Sequence, residues 1–117
     1  MKSDLPERTF HFAVRVVKLC QVLDRQTSTA KTLSRQLLRS GTSLSANLAE
    51  GVSAQSKPDF ISKHSIALKE ARETHYWLRL FVATDLVPEP QLAPLIQEAN
   101  ELVAILTTLL RTARSSI

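Results

Sequence analysis

Apolar side chains recur every three or four residues through four separate stretches of this chain, and that interval is the period of an amphipathic helix. The last stretch shows the period most clearly, with Leu92, Leu95, Ala99, Leu102 and Leu106 on one face. Polar or proline-containing segments separate the stretches, and no run carries the alternation of a half-buried strand. The spacing predicts four helices, over about residues 5–25, 29–50, 57–84 and 90–114.

Four amphipathic helices joined by short polar turns predict an all-α protein, an antiparallel up-down-up-down four-helix bundle. The length suits one such core, so we expect residues 1–117 to form a single domain. Asp4 is expected to cap the first helix and Gly51 to end the second. Gly41 lies inside the helical pattern, where glycine is unfavourable, and this favours close packing against it.

A second stripe, separate from the leucine core, follows the predicted second helix. At the helical period its members form one continuous side: Thr32, Gln36, Arg39, Ser43, Asn47 and Glu50. A counterpart on the third helix mixes charged, polar and apolar residues: Asp59, Lys63, Ile66, Glu70, Glu73, Thr74, Trp77 and Phe81. The helical projection places this counterpart, Phe81 included, beside the main core face rather than on it.

A solvated charged face does not normally carry a tryptophan and a phenylalanine in line with glutamates. We therefore interpret the two stripes as an assembly surface or a buried polar network, in which the carboxylates need Arg or Lys partners. The alternative is that Trp77 wraps onto a neighbouring helix and the glutamates are exposed. The sequence leaves open whether the stripe meets helix 3 of its own chain or another subunit. The residues assigned to it are Arg39, Ser43, Asn47, Glu50, Lys63, Glu70, Glu73, Thr74 and Trp77.

Basic residues concentrate in the first third of the chain: residues 1–40 hold 8 Lys or Arg against 3 Asp or Glu, in a chain of net charge +4. Such a face would contact phosphates by charge, with steep salt dependence. No aromatic side chain is interleaved with these bases to stack on a single strand, and a merely solvated face is the alternative. The possible nucleic-acid contacts on helices 1 and 2 are Arg8, Arg15, Lys18, Arg25, Lys31 and Arg35.

The sequence holds no catalytic constellation, and we predict that the protein is not an enzyme. No phosphate loop or nucleophile elbow is present, and no small-molecule substrate is evident. Glu73-Thr-His75 has the wrong spacing for the Glu-x-x-His element of a di-iron bundle. We therefore expect neither a metal nor a cofactor.

Location follows from the cysteine and from hydropathy. The single cysteine, Cys20, lies in an apolar run and is expected to be a buried core thiol, which fits a reducing cytosol. The N-terminal residues have no signal-peptide core, and the longest apolar stretch, Leu102 to Leu110, is too short to span a bilayer. We predict a cytoplasmic protein that does not enter a membrane.

Two stretches, ERTFHFAVRVVKLCQVL at residues 7–23 and residues 33–80, resemble the bacterial four helix bundle protein family. This family was first noticed as proteins encoded in intervening sequences of large-subunit ribosomal RNA genes. Helix 4 is similar only in its apolar pattern. The residues that carry the resemblance are Gln36, Arg39, Ser43, Asn47, Glu50, Gly51, Ser56, Phe60, Lys63, Ala67, Lys69, Glu70, Glu73, Thr74, Trp77 and Leu78.

The resemblance implies an antiparallel bundle that assembles into a ring-like homopentamer. It also implies distant kinship with the accessory protein of diversity-generating retroelements, which is similar in fold and binds RNA or the reverse transcriptase. The family has no established activity. The sequence thus favours a non-enzymatic homo-oligomeric bundle, a binding or scaffold module, with RNA or DNA binding by helices 1 and 2 as the alternative.

Overall fold

The computed structural model describes residues 4–115, which form four α-helices and no strand. Consecutive helices pack against each other, while α1 meets α4 only briefly. The molecule measures 50 × 21 × 21 Å, and the predicted all-α four-helix bundle is confirmed. The helices are α1, Leu5–Leu23; α2, Ser28–Val52; α3, Lys57–Ala83; and α4, Glu89–Ser115.

Side-chain pairs show that neighbouring helices run antiparallel. Glu50 near the end of α2 meets Lys63 near the start of α3. Ser65, also early in α3, accepts a hydrogen bond from Arg114 in the last turn of α4. The three connections are short, so the chain runs up-down-up-down.

Both ends of α1 differ from the prediction. Asp4 makes no side-chain cap bond, because its backbone (φ −101°, ψ 16°) is outside the extended region from which a cap reaches the first turn. Helix α1 ends at Leu23 rather than Arg25. Thr27 caps α2 by accepting from the amide of Ala30, and Ser56 caps α3 in the same way from Asp59.

Both glycines are sites of close packing within helix α2. A Cβ on Gly41 would lie 2.8 Å from the Val16 side chain, as the position of this glycine suggested. Gly51 does not end the helix, and no glycine in residues 4–115 has a positive φ. A Cβ on Gly51 would lie 2.5 Å from the His64 ring, so this glycine serves the packing of α2 on α3.

The core lies on the bundle axis and takes more of α3 than the sequence pattern predicted. Phe12, Leu44 and Leu106 are at most 1% exposed. Phe81, which the projection placed beside the core, is fully buried within it. The projection was wrong here because α3 packs against both α2 and α4, which widens its buried arc.

Candidate functional site

A polar network joins α2 to α3, with the buried carboxylate of Glu70 at its centre. Arg39 Nη1 lies 3.3 Å from Glu70 Oε2, and the same guanidinium pairs with Glu73. Ser43 Oγ donates to Glu70 Oε2 at 3.2 Å and accepts from Asn47 Nδ2 at 3.1 Å. The carboxylate therefore has a cation and a hydroxyl donor, which a buried charge requires.

Two further contacts extend the network along the same seam. Lys63 Nζ lies 3.2 Å from Glu50 Oε1 near the end of α2. In the buried centre, Thr74 Oγ1 lies 2.9 Å from Ser40 Oγ and 2.7 Å from the carbonyl oxygen of Glu70. The polar stripe of α2 thus meets α3 of its own chain.

Trp77 follows this network on α3 and is half-buried against the core. Its indole Nε1 is buried and has no hydrogen-bond acceptor in the described part of the chain. The neighbouring Tyr76 meets the Trp77 ring edge-on, with the ring centroids 5.1 Å apart, yet Tyr76 itself is 53% exposed. The aromatic end of the stripe therefore continues to the outer surface of α3.

The basic face proposed on α1 and α2 loses one of its members to the fold. Arg8 Nε donates to Glu98 at 2.7 Å, and Arg8 Nη2 donates to Glu101 at 2.6 Å. These bonds, that to Glu98 first, raise the pKa of Arg8 above its usual value. The other five residues are exposed and lie in no ion pair within residues 4–115: Arg15, Lys18, Arg25, Lys31 and Arg35.

Beside these cations, α1 and α2 form an open apolar groove of about 560 Å³, which was not among the sites predicted from the sequence. Phe10 borders it and is 61% exposed, with Val14 and Val17 following on α1. Small residues of α2, including Ala46 and Ala49, form the opposite wall. The signal was available, because small residues recur there at helical spacing: Thr42, Ser45, Ala46 and Ala49.

A second groove, of about 800 Å³, lies between α3 and α4 and is bordered by cations. Arg114 Nη2 donates to Ser65 Oγ at 3.0 Å across it. No carboxylate lines this groove within the described residues. Its basic side chains are Lys69, Arg72, Arg111 and Arg114.

Two titratable side chains have pKa values shifted by burial. Burial raises the pKa of the Cys20 thiol, a core residue that is 2% exposed. The pKa of His75 is lowered, first by burial and then by the positive charge of Arg79 one turn along α3. Within residues 4–115, no cluster of three or more His, Cys, Asp or Glu residues could hold a metal ion.

No helix in residues 4–115 is both long and apolar enough to cross a bilayer.

Architecture and sites together define an all-α four-helix bundle protein whose grooves open on its outer surface rather than into its core. Residues 1–108 match the 23S rRNA-intervening sequence protein family. The chain therefore belongs to this family, which confirms the resemblance found in residues 7–23 and 33–80.

A solved structure gives the same assignment. It is the crystal structure of a protein of unknown function from the S23 ribosomal protein family of Bacteroides thetaiotaomicron. The two chains are 38% identical, the match covers 90% of this chain and 96% of that one, and the TM-score is 0.81. A comparison with curated proteins gives no match. The family membership thus carries no established activity with it.

Proposed function

We propose that this chain is a non-enzymatic, homo-oligomeric four-helix bundle that acts as a binding or scaffold module. The observation that carries the proposal is the apolar groove of α1 and α2, bordered by Phe10 at 61% exposure. A contiguous apolar surface with an exposed phenylalanine is typical of a contact site, because association removes that surface from water.

A second copy of the chain is the partner that fits this groove. Its α2 wall is made of small residues, so that a helix could approach closely. Other parts of the surface present apolar side chains that could enter it, among them Ile66 and Val52. Contact between two different surfaces closes into a ring when the rotation permits, and the resemblance implies a ring of five.

The polar network supports this assembly indirectly. Arg39, Ser43 and Glu70 fix α2 against α3, and α2 carries one wall of the groove on another of its sides. We propose that the network positions that wall, and that Trp77 and Glu73 affect assembly through the same seam. A change at either residue should then alter both stability and the oligomer.

Light scattering on the full chain tests the proposal. We expect a mass that is a multiple of the 13.0 kDa protomer, five-fold for the ring. Val17→Arg places a charge in the groove and should shift the protein toward monomer, whereas the control Val22→Arg lies on the same helix outside the groove. A wild-type monomer at tens of micromolar would contradict assembly. If both variants dissociate equally, the α1–α2 groove is not the surface through which the subunits meet.

Nucleic-acid binding by α1 and α2 is the second candidate, and the exposure of five of its six cations favours it. Neutralising Arg15, Lys18, Lys31 and Arg35 should then reduce both affinity and its salt dependence. Binding without a salt slope would argue against it. We further propose a cytoplasmic location, since the one cysteine is unpaired and buried.

A further inference from the structure

Charge on α3 is sorted between its two flanks. Glu70 and Glu73 reach toward α2, where Arg39 meets them. Lys69 and Arg72, each adjacent in sequence to one of these glutamates, line the groove on the α4 side instead. The helical period makes this separation, because residues one apart on a helix do not share a face.

The α4 side of the groove adds cations and no carboxylate. Arg111 and Arg114 border it from the last turns of α4, and none of Lys69, Arg72 and Arg111 takes part in an ion pair between residues 4 and 115. Such a concentration of one sign of charge in a concave surface attracts anions. Guanidinium groups, three of the four cations here, bind phosphate oxygens in pairs.

The same face of α3 continues past the groove into an aromatic and apolar niche. Tyr76 lies one turn beyond Arg72 and is 53% exposed. It borders a niche of about 310 Å³ with Leu80, Ile96 and a further cation, Arg79. From Lys69 to Arg79 the helix rises about 15 Å, which leaves room for more than one phosphate.

We propose that the α3–α4 groove binds a single-stranded nucleic acid, its phosphates on Lys69, Arg72 and Arg111 and a base against Tyr76. Cations alternating with an exposed aromatic side chain are what single-strand binding requires, since every base has a face on which to stack. On α1 and α2 the exposed aromatic side chain is Phe10, which borders the apolar groove that we assign to assembly. The proposal goes beyond assembly and does not depend on it.

The concave shape of the α3–α4 groove favours a nucleic acid over a membrane surface as its ligand. The cations border a cleft between two helices, which a flat bilayer does not enter. The leucines that line the cleft, Leu68 and Leu110, are half-buried and buried, unlike the exposed apolar face of a helix that lies on lipid. A duplex would meet the same charge, but its bases are stacked inside it and leave Tyr76 without a partner. Vesicles and duplex are therefore the competing ligands in the test.

The experiment titrates a fluorescent oligouridylate with the full chain and follows its anisotropy over a series of salt concentrations. The groove variant is K69Q/R72Q/R111Q, and the matched control is R15Q/K18Q/R35Q on α1 and α2, which removes the same charge. We expect the groove variant to lose affinity by at least about tenfold and its salt slope to fall by about 2, since each phosphate contact on a single strand contributes about 0.7. If the groove is the site, the control should lose less than about threefold, through the general field alone. The α1–α2 candidate described above predicts the opposite order, so this pair of variants decides between the two surfaces.

Tyr76→Ala tests the base contact separately. It should weaken oligouridylate binding about tenfold with an unchanged salt slope, while Tyr76→Phe keeps wild-type affinity. Duplex binding should not respond to either change. Circular dichroism and light scattering on every variant separate these effects from unfolding and from loss of the oligomer.

Four outcomes would overturn the proposal. The first is that the wild-type protein does not bind the oligouridylate at low salt, and the second is that the α1–α2 control loses as much affinity as the groove variant. The third is that Tyr76→Ala binds the oligouridylate as tightly as the wild type. The fourth is that the groove variant no longer binds phosphatidylserine vesicles but still binds the oligouridylate. If the wild-type protein is a monomer and still binds the oligouridylate through the groove, only the proposed assembly is contradicted.

Discussion

The two flanks of α3 use charge in opposite ways. Toward α2, Glu70 and Glu73 are both paired with Arg39 across the seam. Toward α4, Lys69 and Arg72 border a groove that no carboxylate lines in the described residues. Paired charge contributes to the fold, whereas unpaired charge of one sign leaves a field that an external ligand can use.

Burial explains why the charged side chains on only one flank of α3 need partners. The Glu70 side chain is 9% exposed, so its charge would be costly without Arg39. Lys69 and Arg72 keep their charged groups in water, which makes the absence of a partner inexpensive. The groove can therefore hold several cations without a large loss of stability.

The largest expected effect on stability is steric and comes from the close packing of α2 against α3. Gly51→Ala should lower the free energy of unfolding by about 2 kcal/mol, because the added methyl group meets the His64 ring. That ring cannot yield easily: it is 1% exposed, stacked on Phe60, and bonded through Nδ1 to the Phe60 carbonyl oxygen at 2.8 Å. Urea denaturation measures the loss.

The matched change on the α4 flank is Ser65→Thr, which adds one methyl group beside the open groove. It should alter stability by less than about 0.5 kcal/mol. The double variant G51A/H64A should lose less than the sum of its single changes, since removing the ring makes room for the methyl group. Equal losses at Gly51 and Ser65 would contradict the difference between the flanks.

The next effect is electrostatic. Arg39→Met removes the cation from the α2 flank and should lower the free energy of unfolding by about 1–2 kcal/mol, through the unpaired charge of Glu70. The figure is below that of a fully buried pair because the Arg39 side chain is 52% exposed. The control, Arg72→Met, should change stability by less than about 0.5 kcal/mol. Chemical denaturation of both variants checks the difference, and a larger loss for Arg72→Met would reverse our assignment.

A smaller effect distinguishes two ion pairs of the same seam. Glu50→Gln breaks the contact with Lys63, but the Glu50 side chain is 62% exposed. We expect a loss of about 0.5 kcal/mol or less, which disappears in about 1 M salt. The loss from Arg39→Met should persist in the same salt, because Glu70 is shielded from the solvent. Denaturation at low and high salt would contradict us if both losses disappeared together.

The sequence predicts the four helices and the position of a stripe on each of α2 and α3, because both depend on helical period alone. Leu44 and Leu106 are core residues as the pattern indicated, and the buried carboxylate of Glu70 has the Arg partner that burial requires. Glu50 meets Lys63 although its side chain is 62% exposed. The helical period, however, gives only the face of a helix on which a residue lies, and not the helix that packs against that face. The stripe of α2 could therefore not be assigned to α3 of the same chain before the structure was known.

The missed features depend on how pairs of helices combine. Arg8 belonged to the basic face by its period, yet Glu98 and Glu101 come from α4, about 90 residues away in sequence. The α3–α4 groove was missed for the same reason, because Lys69 and Arg111 lie on different helices and neither pattern alone is unusual. Phe81 became core since α3 has two neighbours on adjacent sides.

The smallest effect uses His75 as a probe of the unpaired flank. Its pKa is lowered from 6.5, first by burial and then by Arg79. Arg79→Gln should therefore raise the pKa of His75 only part of the way toward its ordinary value, which an NMR titration of the ring protons measures. Arg39→Gln, on the paired flank, serves as the control and should leave this pKa unchanged, since the charge of Arg39 is already met by Glu70 and Glu73.

The lowered pKa of His75 should also make the free energy of unfolding depend on pH. Since the folded chain binds a proton at His75 less readily than the unfolded chain, this group's contribution is complete above pH 6.5 and is lost as the pH falls below it. His75→Gln should then reduce the loss of stability as the pH falls below 6.5, and Arg79→Gln should reduce it less, because burial is the larger cause. If Arg79→Gln left the pKa of His75 unchanged while Arg39→Gln raised it, the positive field would belong to the α2 flank and the contrast between the two sides of α3 would fail.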